Sequence, residues 1–233
     1  MTQIRAVLFD VDDTLVDTRG AFRHALAAVG ERYLDAPVTA DELTLVWRTD
    51  TGGHYRAHTR GEISYREQRK RRANELHALY GGPSLEADDD YDAWNDGFEA
   101  AFVAGWRAHD DAIACLDALD AAGIPFGALS NAAVAYQQAK LEACGLVRVP
   151  MLVGVDTLGF GKPDPRVFAL ACERIGMDAA NVAYVGDEYD IDALAADQAG
   201  LMGIWLDRGT AHSVGHPGAT RITTLAGLIE LIR

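Results

Sequence analysis

The sequence is poor in cysteine and has no long apolar segment. Its three cysteines, Cys115, Cys144 and Cys172, are widely spaced without metal-ligand spacing, so a disulfide framework is not expected. No apolar run approaches the roughly 18 residues of a membrane span. The four apolar residues 6–9 are too few for a signal peptide. We therefore expect a cytoplasmic protein that crosses no membrane.

Basic residues are also scarce. The chain has 21 Lys and Arg against 35 Asp and Glu, which gives a net charge of −14. Such a charge repels nucleic acid and anionic membrane surfaces, so neither is an expected partner. The sequence does not indicate an oligomeric state.

Short apolar runs alternate with helical patterns along much of the chain. Runs that end in polar residues are typical of buried parallel strands, and helices between them indicate a doubly wound α/β sheet of the Rossmann-like kind. Asp164 and Pro165 form a typical helix start. The predicted strands are 5–9, 124–129, 151–155, 182–185 and 201–206, and the predicted helices are 111–121, 132–144 and 165–175.

One long region does not follow this alternation. Residues 18–105 have a helical pattern without comparable strand runs. The 233 residues exceed one ordinary domain of roughly 150, which fits a sheet domain that carries an insertion. We therefore predict a core of residues 1–17 and 106–233, and an all-helical cap domain of residues 18–105 after the first strand.

Polar residues follow the predicted strands. In a parallel sheet the carboxyl ends of the strands share one edge, where ligands usually bind. Clustered carboxylates need a cation, and oxygen ligands with open positions suit Mg²⁺ and a phosphate oxygen. A lysine and a hydroxyl would hold further phosphate charge. The sequence thus indicates a phosphoryl site built from Asp10, Asp12, Ser130, Asn131, Lys162, Asp187 and Asp192.

These residues resemble, in order, the four motifs of the haloacid dehalogenase superfamily. The first motif resembles residues 10–15, Asp-Val-Asp-Asp-Thr-Leu, and the second resembles Ser130-Asn131. Lys162 stands at the third, and Asp187 with Asp192 at the fourth. The insertion resembles the first cap class of that family, which includes phosphoglycolate phosphatase. The resemblance implies a Mg²⁺-dependent phosphatase acting on a small phosphorylated metabolite.

The resemblance also implies a role for each acidic residue. Asp10 would be the nucleophile that forms an aspartyl-phosphate. Asp12 would be the general acid and base, and its backbone carbonyl would ligate the metal. Asp187 would complete the metal shell together with Asp10. Asp192 would be a further ligand or would act from behind the first shell of ligands.

The remaining motif residues would bind phosphate. By resemblance, Thr14 and Ser130 would donate hydrogen bonds to the phosphoryl oxygens. Asn131 would orient the nucleophile or the substrate. Lys162 would neutralise charge between the nucleophile and the phosphate.

Three other functions remain open at this stage. Dehalogenases of the family use the same nucleophile but usually lack an acid two residues later, so Asp12 favours phosphoester chemistry. A phosphomutase of the β-phosphoglucomutase type would share the aspartyl-phosphate. A non-enzymatic phospho-sensing module would share the acidic pair and the lysine, but such modules are shorter and lack the insertion.

The predicted cap contains a basic stretch. Residues 48–72 hold eight basic residues against three acidic ones. A solvated helix face would explain this composition. Alternatively, the stretch guides a phosphorylated substrate, and Arg48, Arg56 and Arg60 are the candidate contacts.

Overall fold

The chain folds into two compact units. The computed structural model describes residues 3–209 and 218–232. The first unit comprises Met1–Asp17 and Ala108–Arg233, and the second is Thr18–Arg107. Across the described residues, every helix is too short or too polar to span a bilayer.

The first unit is built on a six-stranded sheet in which every neighbouring pair is parallel. The strand order is β3-β2-β1-β4-β5-β6, so the chain reverses its direction of winding at β1. This reversal is where doubly wound sheets open a ligand crevice. The strands are β1 (Ala6–Phe9), β2 (Phe126–Leu129), β3 (Met151–Val153), β4 (Val182–Gly186), β5 (Met202–Leu206) and β6 (Thr220–Ile222).

Helices cover both faces of this sheet. Alternate strand residues point to opposite faces, so Val7 and Phe9 of β1 join one buried cluster while Ala6 and Leu8 join the other. The prediction of a doubly wound, Rossmann-like α/β fold is therefore confirmed. The helices are α6 (Ala112–Ala122), α7 (Val134–Ala143), α8 (Val155–Leu158), α9 (Pro165–Ile175), α10 (Leu194–Gln198) and α11 (Ala226–Leu231).

The second unit is helical, as predicted. Its core is a run of aromatic rings, in which Trp47 and Phe98 have centroids 5.3 Å apart and Trp94 stacks on Phe98 at 5.2 Å. The helices are α1 (Thr18–Tyr33), α2 (Ala40–Thr49), α3 (His54–Thr59), α4 (Tyr65–Tyr80) and α5 (Asp88–Ala104).

Much of the basic stretch in α4 is neutralised within this unit. Arg66 pairs with Asp92 of α5, and the buried Arg69 pairs with Glu99 of the same helix. Arg69 also lies over the Phe98 ring, with the guanidinium carbon 4.9 Å from the ring centroid. This part of the stretch therefore binds α4 to α5.

Candidate active site

Three of the predicted site residues directly follow neighbouring strands. Asp10 follows β1, Ser130 follows β2 and Asp187 follows β4. The Asp10 amide donates to Val185 O at 2.9 Å, and the Ser130 amide donates to Val153 O at 3.0 Å. These backbone bonds extend the sheet by one residue and fix where the side chains begin.

Lys162 lies at the centre of the site. It is 3% exposed, and its Nζ atom donates to Asp10 Oδ1 at 2.7 Å, Asp192 Oδ1 at 2.6 Å and the Tyr184 hydroxyl at 2.8 Å. Three acceptors match the three N–H groups of an ammonium. The lysine is therefore fully satisfied, although it is buried.

Asn131 holds the backbone of Lys162. Its Nδ2 atom donates to Lys162 O at 2.9 Å, and its Oδ1 atom accepts from Lys162 N at 2.6 Å. A Cβ atom on Gly161 would lie 2.1 Å from Asn131 Oδ1, so glycine is needed for this close approach. In this structure the Asn131 amide binds the backbone of Lys162, whose ammonium contacts Asp10, the predicted nucleophile.

Asp192 contacts the same cluster from the turn that follows β4. It lies in a single turn of π-helix, Tyr189–Ala193, and is 1% exposed. One carboxylate oxygen accepts from Lys162 and the other from Glu188 N at 3.0 Å. Both oxygens are therefore engaged, which fits the supporting role that the resemblance allows.

Three carboxylates form a group that suits a cation. Oxygens of Asp10, Asp187 and Asp192 all lie within 4.8 Å of one another. Burial raises the pKa of Asp10 to about 8, with Lys162 opposing and the neighbouring carboxylates adding to the rise. Burial and nearby carboxylates also raise the pKa of Asp187 well above its ordinary value. Such a crowded oxygen set fits a divalent cation, because a cation relieves the repulsion.

Asp12 is held by helix α7. Lys140 Nζ lies 2.5 Å from Asp12 Oδ1, and Gln137 Nε2 lies 2.6 Å from Asp12 Oδ2. Gln137 also donates to Ser130 Oγ at 2.8 Å. Asp12 and Ser130 are therefore linked through one glutamine side chain.

Thr14 contributes its backbone to the site. Its carbonyl accepts from Arg208 Nη2 at 2.9 Å, and Arg208 also binds both carboxylate oxygens of Asp111. The Thr14 side chain is fully buried, and its Oγ1 atom has no hydrogen-bond partner within 3–209 or 218–232. The hydroxyl is therefore available as a donor, but it must become accessible before it can bind a phosphoryl oxygen.

A second group of ligand-type side chains lies in the first unit. Atoms of Asp13, Asp17 and His109 are within 4.8 Å of one another. Backbone bonds from Asp13 N to Val16 O and from His109 N to Leu15 O fix the loop that carries them. This group was not predicted from the sequence.

The candidate arginines of the second unit lie on α2 and α3. Arg48 is in the last turn of α2, Arg56 is in α3, and Arg60 ends α3. Arg60 forms a two-bond pair with Glu62, at 2.6 and 2.9 Å. Its charge is thus partly compensated.

Sequence reasoning missed Tyr184, Gln137 and Lys140. Tyr184 is in β4, where an aromatic residue looks like ordinary core. Gln137 and Lys140 are three positions apart and thus share a face of α7 with the buried Leu141. Two polar residues on a buried helix face were the available signal.

The fold and the site together define an α/β enzyme core with its catalytic edge at the strand ends. The chain matches the haloacid dehalogenase-like hydrolase family over residues 4–200. This match covers most of the chain, so the protein belongs to that family and is a hydrolase. The predicted resemblance to this family is confirmed.

Individual relatives differ in their reactions. A phosphoglycolate phosphatase of Agrobacterium fabrum is 31% identical over 202 residues, covering 84% of this chain and 78% of that protein. The (S)-2-haloacid dehalogenase 1 of Pseudomonas sp. (strain CBS-3) is 29% identical over 199 residues, covering 84% and 82%. The structure of the HAD-hydrolase YfnB from Bacillus subtilis bound to magnesium has the same fold, with a TM-score of 0.78, 24% identity and 99% of each chain covered. Family membership alone therefore does not decide the reaction.

Proposed function

We propose that this protein is a Mg²⁺-dependent phosphatase that hydrolyses a small phosphorylated metabolite through an aspartyl-phosphate intermediate. The observation that carries the proposal is the pair of carboxylates two residues apart, with different partners. Asp10 lies beside the Lys162 ammonium and the carboxylates of Asp187 and Asp192. Asp12 is one-third exposed and pairs with the Lys140 ammonium.

The two carboxylates would divide the reaction between them. A carboxylate oxygen of Asp10 attacks phosphorus, and the bond from phosphorus to the ester oxygen breaks. The carboxyl group of Asp12 gives its proton to the departing oxygen. Asp12 then takes a proton from water, whose oxygen attacks the aspartyl-phosphate. Phosphate leaves, and the Asp10 carboxylate is restored.

The other site residues would bind phosphate or the cation. The Ser130 and Thr14 hydroxyls would hold the phosphoryl oxygens, Lys162 would neutralise charge between Asp10 and the phosphate, and Asn131 would hold Lys162 in place. Asp10, Asp187 and the Asp12 carbonyl would hold Mg²⁺, with Asp192 behind them. When bound, the ion supplies positive charge that keeps the carboxylates ionised and allows an anionic phosphate to approach.

Dehalogenation is the second candidate, because one relative is a dehalogenase. A halide leaves without a proton, so the departure of the leaving group in that reaction needs no acid at Asp12. The structure holds the Asp12 carboxylate with two buried partners, Lys140 and Gln137. This arrangement supports a reaction that moves a proton, and therefore phosphoester hydrolysis.

Phosphate release from a panel of phosphorylated metabolites, with Mg²⁺ and with EDTA, tests the proposal. We expect Mg²⁺-dependent release that Asp10→Asn abolishes. Asp164→Asn is the matched control, because Asp164 caps α9 and asparagine caps equally well. Chloride release from 2-chloropropionate without phosphate release from any ester would overturn the proposal, and an isomerised sugar phosphate would indicate a phosphomutase.

We also propose that the second unit contributes to substrate binding through Arg48, Arg56 or Arg60. Replacing each in turn with methionine should raise KM for the preferred substrate and leave kcat nearly unchanged if the contact is to a remote substrate group. Three unchanged KM values would exclude this role.

A further inference from the structure

Two buried side chains of α7 donate hydrogen bonds to the Asp12 carboxyl group. Lys140 is 2% exposed and Gln137 is fully buried. Lys140 takes one carboxylate oxygen at 2.5 Å and Gln137 takes the other at 2.6 Å. The carboxylate is therefore fixed in both position and rotation by a helix that follows the second motif.

The orientation of the Gln137 amide follows from its partner. Gln137 Nε2 donates to Asp12 Oδ2, so the NH₂ group of the amide faces Asp12. The second N–H of that group donates to Ser130 Oγ, which also accepts from Ala132 N at 3.3 Å. Two donors occupy the two lone pairs of the hydroxyl. The Ser130 hydrogen is therefore directed away from them and can donate to a phosphoryl oxygen.

A buried lysine at position 140 is energetically unfavourable by itself. Burying an ammonium disfavours folding unless the charge is paired, and a leucine would fill the same space without that penalty. Leu141, next in the chain, is a fully buried residue of this kind. The advantage of Lys140 must therefore lie in what it does to Asp12.

We propose that Lys140 and Gln137 are positioning residues that hold Asp12 for proton transfer, and that Gln137 at the same time directs the Ser130 hydroxyl. This inference rests on the proposed phosphatase function. It assigns to α7 the support of two separate parts of the reaction, the transfer of a proton and the binding of phosphate.

Two esters that differ in their need for a proton provide the test. 4-Nitrophenyl phosphate releases a stable phenolate, whereas 4-nitrobenzyl phosphate releases an alkoxide that must be protonated. The quantity to compare is kcat/KM, because it reports steps up to the loss of the leaving group and excludes the later attack of water on the aspartyl-phosphate.

Lys140→Met should lower kcat/KM for 4-nitrobenzyl phosphate by about 10- to 100-fold, the size of effect that supporting residues have. It should leave kcat/KM for 4-nitrophenyl phosphate nearly unchanged. Gln137→Leu should lower both values, because Ser130 is also affected, but the benzyl ester should suffer more. Lys140→Arg, which keeps a cation, should recover part of the loss.

Gln138→Leu is the matched control for Gln137→Leu. Gln138 is the next residue of α7 and contacts Glu142 on the outer side of the helix, so both esters should be hydrolysed normally. An equal loss for both esters in Lys140→Met, or no loss, would overturn the inference. Thermal unfolding of each variant separates misfolding from a chemical effect, and Lys140→Gln replaces any variant that does not fold. If the wild-type protein hydrolyses no phosphomonoester, the proposed function fails first and this inference fails with it.

Discussion

The Nζ atom of Lys162 lies 2.7 Å from Oδ1 of Asp10, although 152 positions separate the two residues in the chain. The same atom lies 2.6 Å from Asp192 Oδ1. All three side chains are buried. A single ammonium thus balances two carboxylates that would otherwise repel each other at the end of β1.

Removing this ammonium should harm both activity and stability. Lys162→Met leaves two buried carboxylates without their cation, which typically costs about 3–5 kcal/mol of unfolding free energy. Hydrolysis of 4-nitrophenyl phosphate should fall by about 10²–10³-fold, as for the loss of one charge-stabilising donor. Urea denaturation and a phosphate-release assay measure the two effects. Lys70→Met removes a lysine that is bonded to Glu86 O and Asp88 of the second unit, and it should change neither the activity nor the stability by much. A fully active and stable Lys162→Met would contradict the expectation.

A single methyl group at position 161 should disturb the same lysine indirectly. Gly161→Ala places Cβ 2.1 Å from Asn131 Oδ1, so the amide must move and release Lys162. We expect a loss of about 1–3 kcal/mol of stability, the cost of leaving buried polar groups unpaired. Activity should fall as well. Because both changes break the same bonds, Gly161→Ala combined with Asn131→Ala should be no worse than either alone.

Gly97→Ala is the control for Gly161→Ala, and its expected effect on the free energy of unfolding has the opposite sign. Gly97 lies within α5, and a Cβ atom there would meet only Arg32 Nη1, at an ordinary 3.8 Å. Gly97→Ala should therefore stabilise the protein by up to about 1 kcal/mol through helix propensity. If thermal unfolding shows additive losses for the Gly161 and Asn131 variants, the proposed route through the Asn131 amide is wrong.

Two arginines of α4 should differ sharply in their contribution to stability. Arg69 is 4% exposed, pairs with Glu99 and contacts Phe98, whereas Arg71 is about half exposed and pairs only with Glu67 one turn away. Arg69→Ala should destabilise the protein by about 2–4 kcal/mol, since it removes a buried ion pair and the contact with Phe98. Arg71→Ala should cost less than about 0.5 kcal/mol. Equal unfolding midpoints for the two variants would contradict this reasoning.

Stability should depend on pH through His77. Burial lowers the pKa of this imidazole, and its Nε2 atom is buried without a hydrogen-bond partner in the described parts of the chain. A lowered pKa means that the unfolded chain binds the proton more readily than the folded one. The contribution of neutral His77 to the free energy of unfolding is therefore fully present above pH about 6.5, the ordinary pKa of histidine. It is lost as the pH falls below that value.

Comparing the wild type with His77→Gln isolates that contribution. The difference in unfolding free energy between the two proteins should shrink as the pH falls from about 7 to 5, because only the wild type gains a proton on unfolding. A constant difference between the wild type and His77→Gln would show that His77 does not titrate on unfolding.

Most of the sheet could be predicted from the sequence, but one edge could not. Five apolar runs mark β1 to β5, because buried parallel strands need apolar side chains on both faces. β6, Thr220–Ile222, was not predicted. It has three residues with an exposed arginine in the middle, and an edge strand pairs through its backbone, so little apolar signal is required.

The site was predictable as far as it depends on strand ends. Asp10, Ser130 and Asp187 stand where parallel strands finish, and the structure brings Lys162 to the first of them. The contact of Lys140 with Asp12 spans 128 positions and depends on how α7 packs. The position of Lys140 on the same helix face as Leu141 was a signal of burial, but it did not indicate which residue the lysine would contact.

The pairing between Val16 and Ala108 has an evolutionary consequence. These residues form an antiparallel bridge, so the chain leaves and rejoins the first unit at adjacent points. Backbones bridged in this way are close enough for a two-residue hairpin to join them. Thr18–Arg107 is therefore a segment that recombination could remove, lengthen or exchange while the strands of the sheet keep their connectivity.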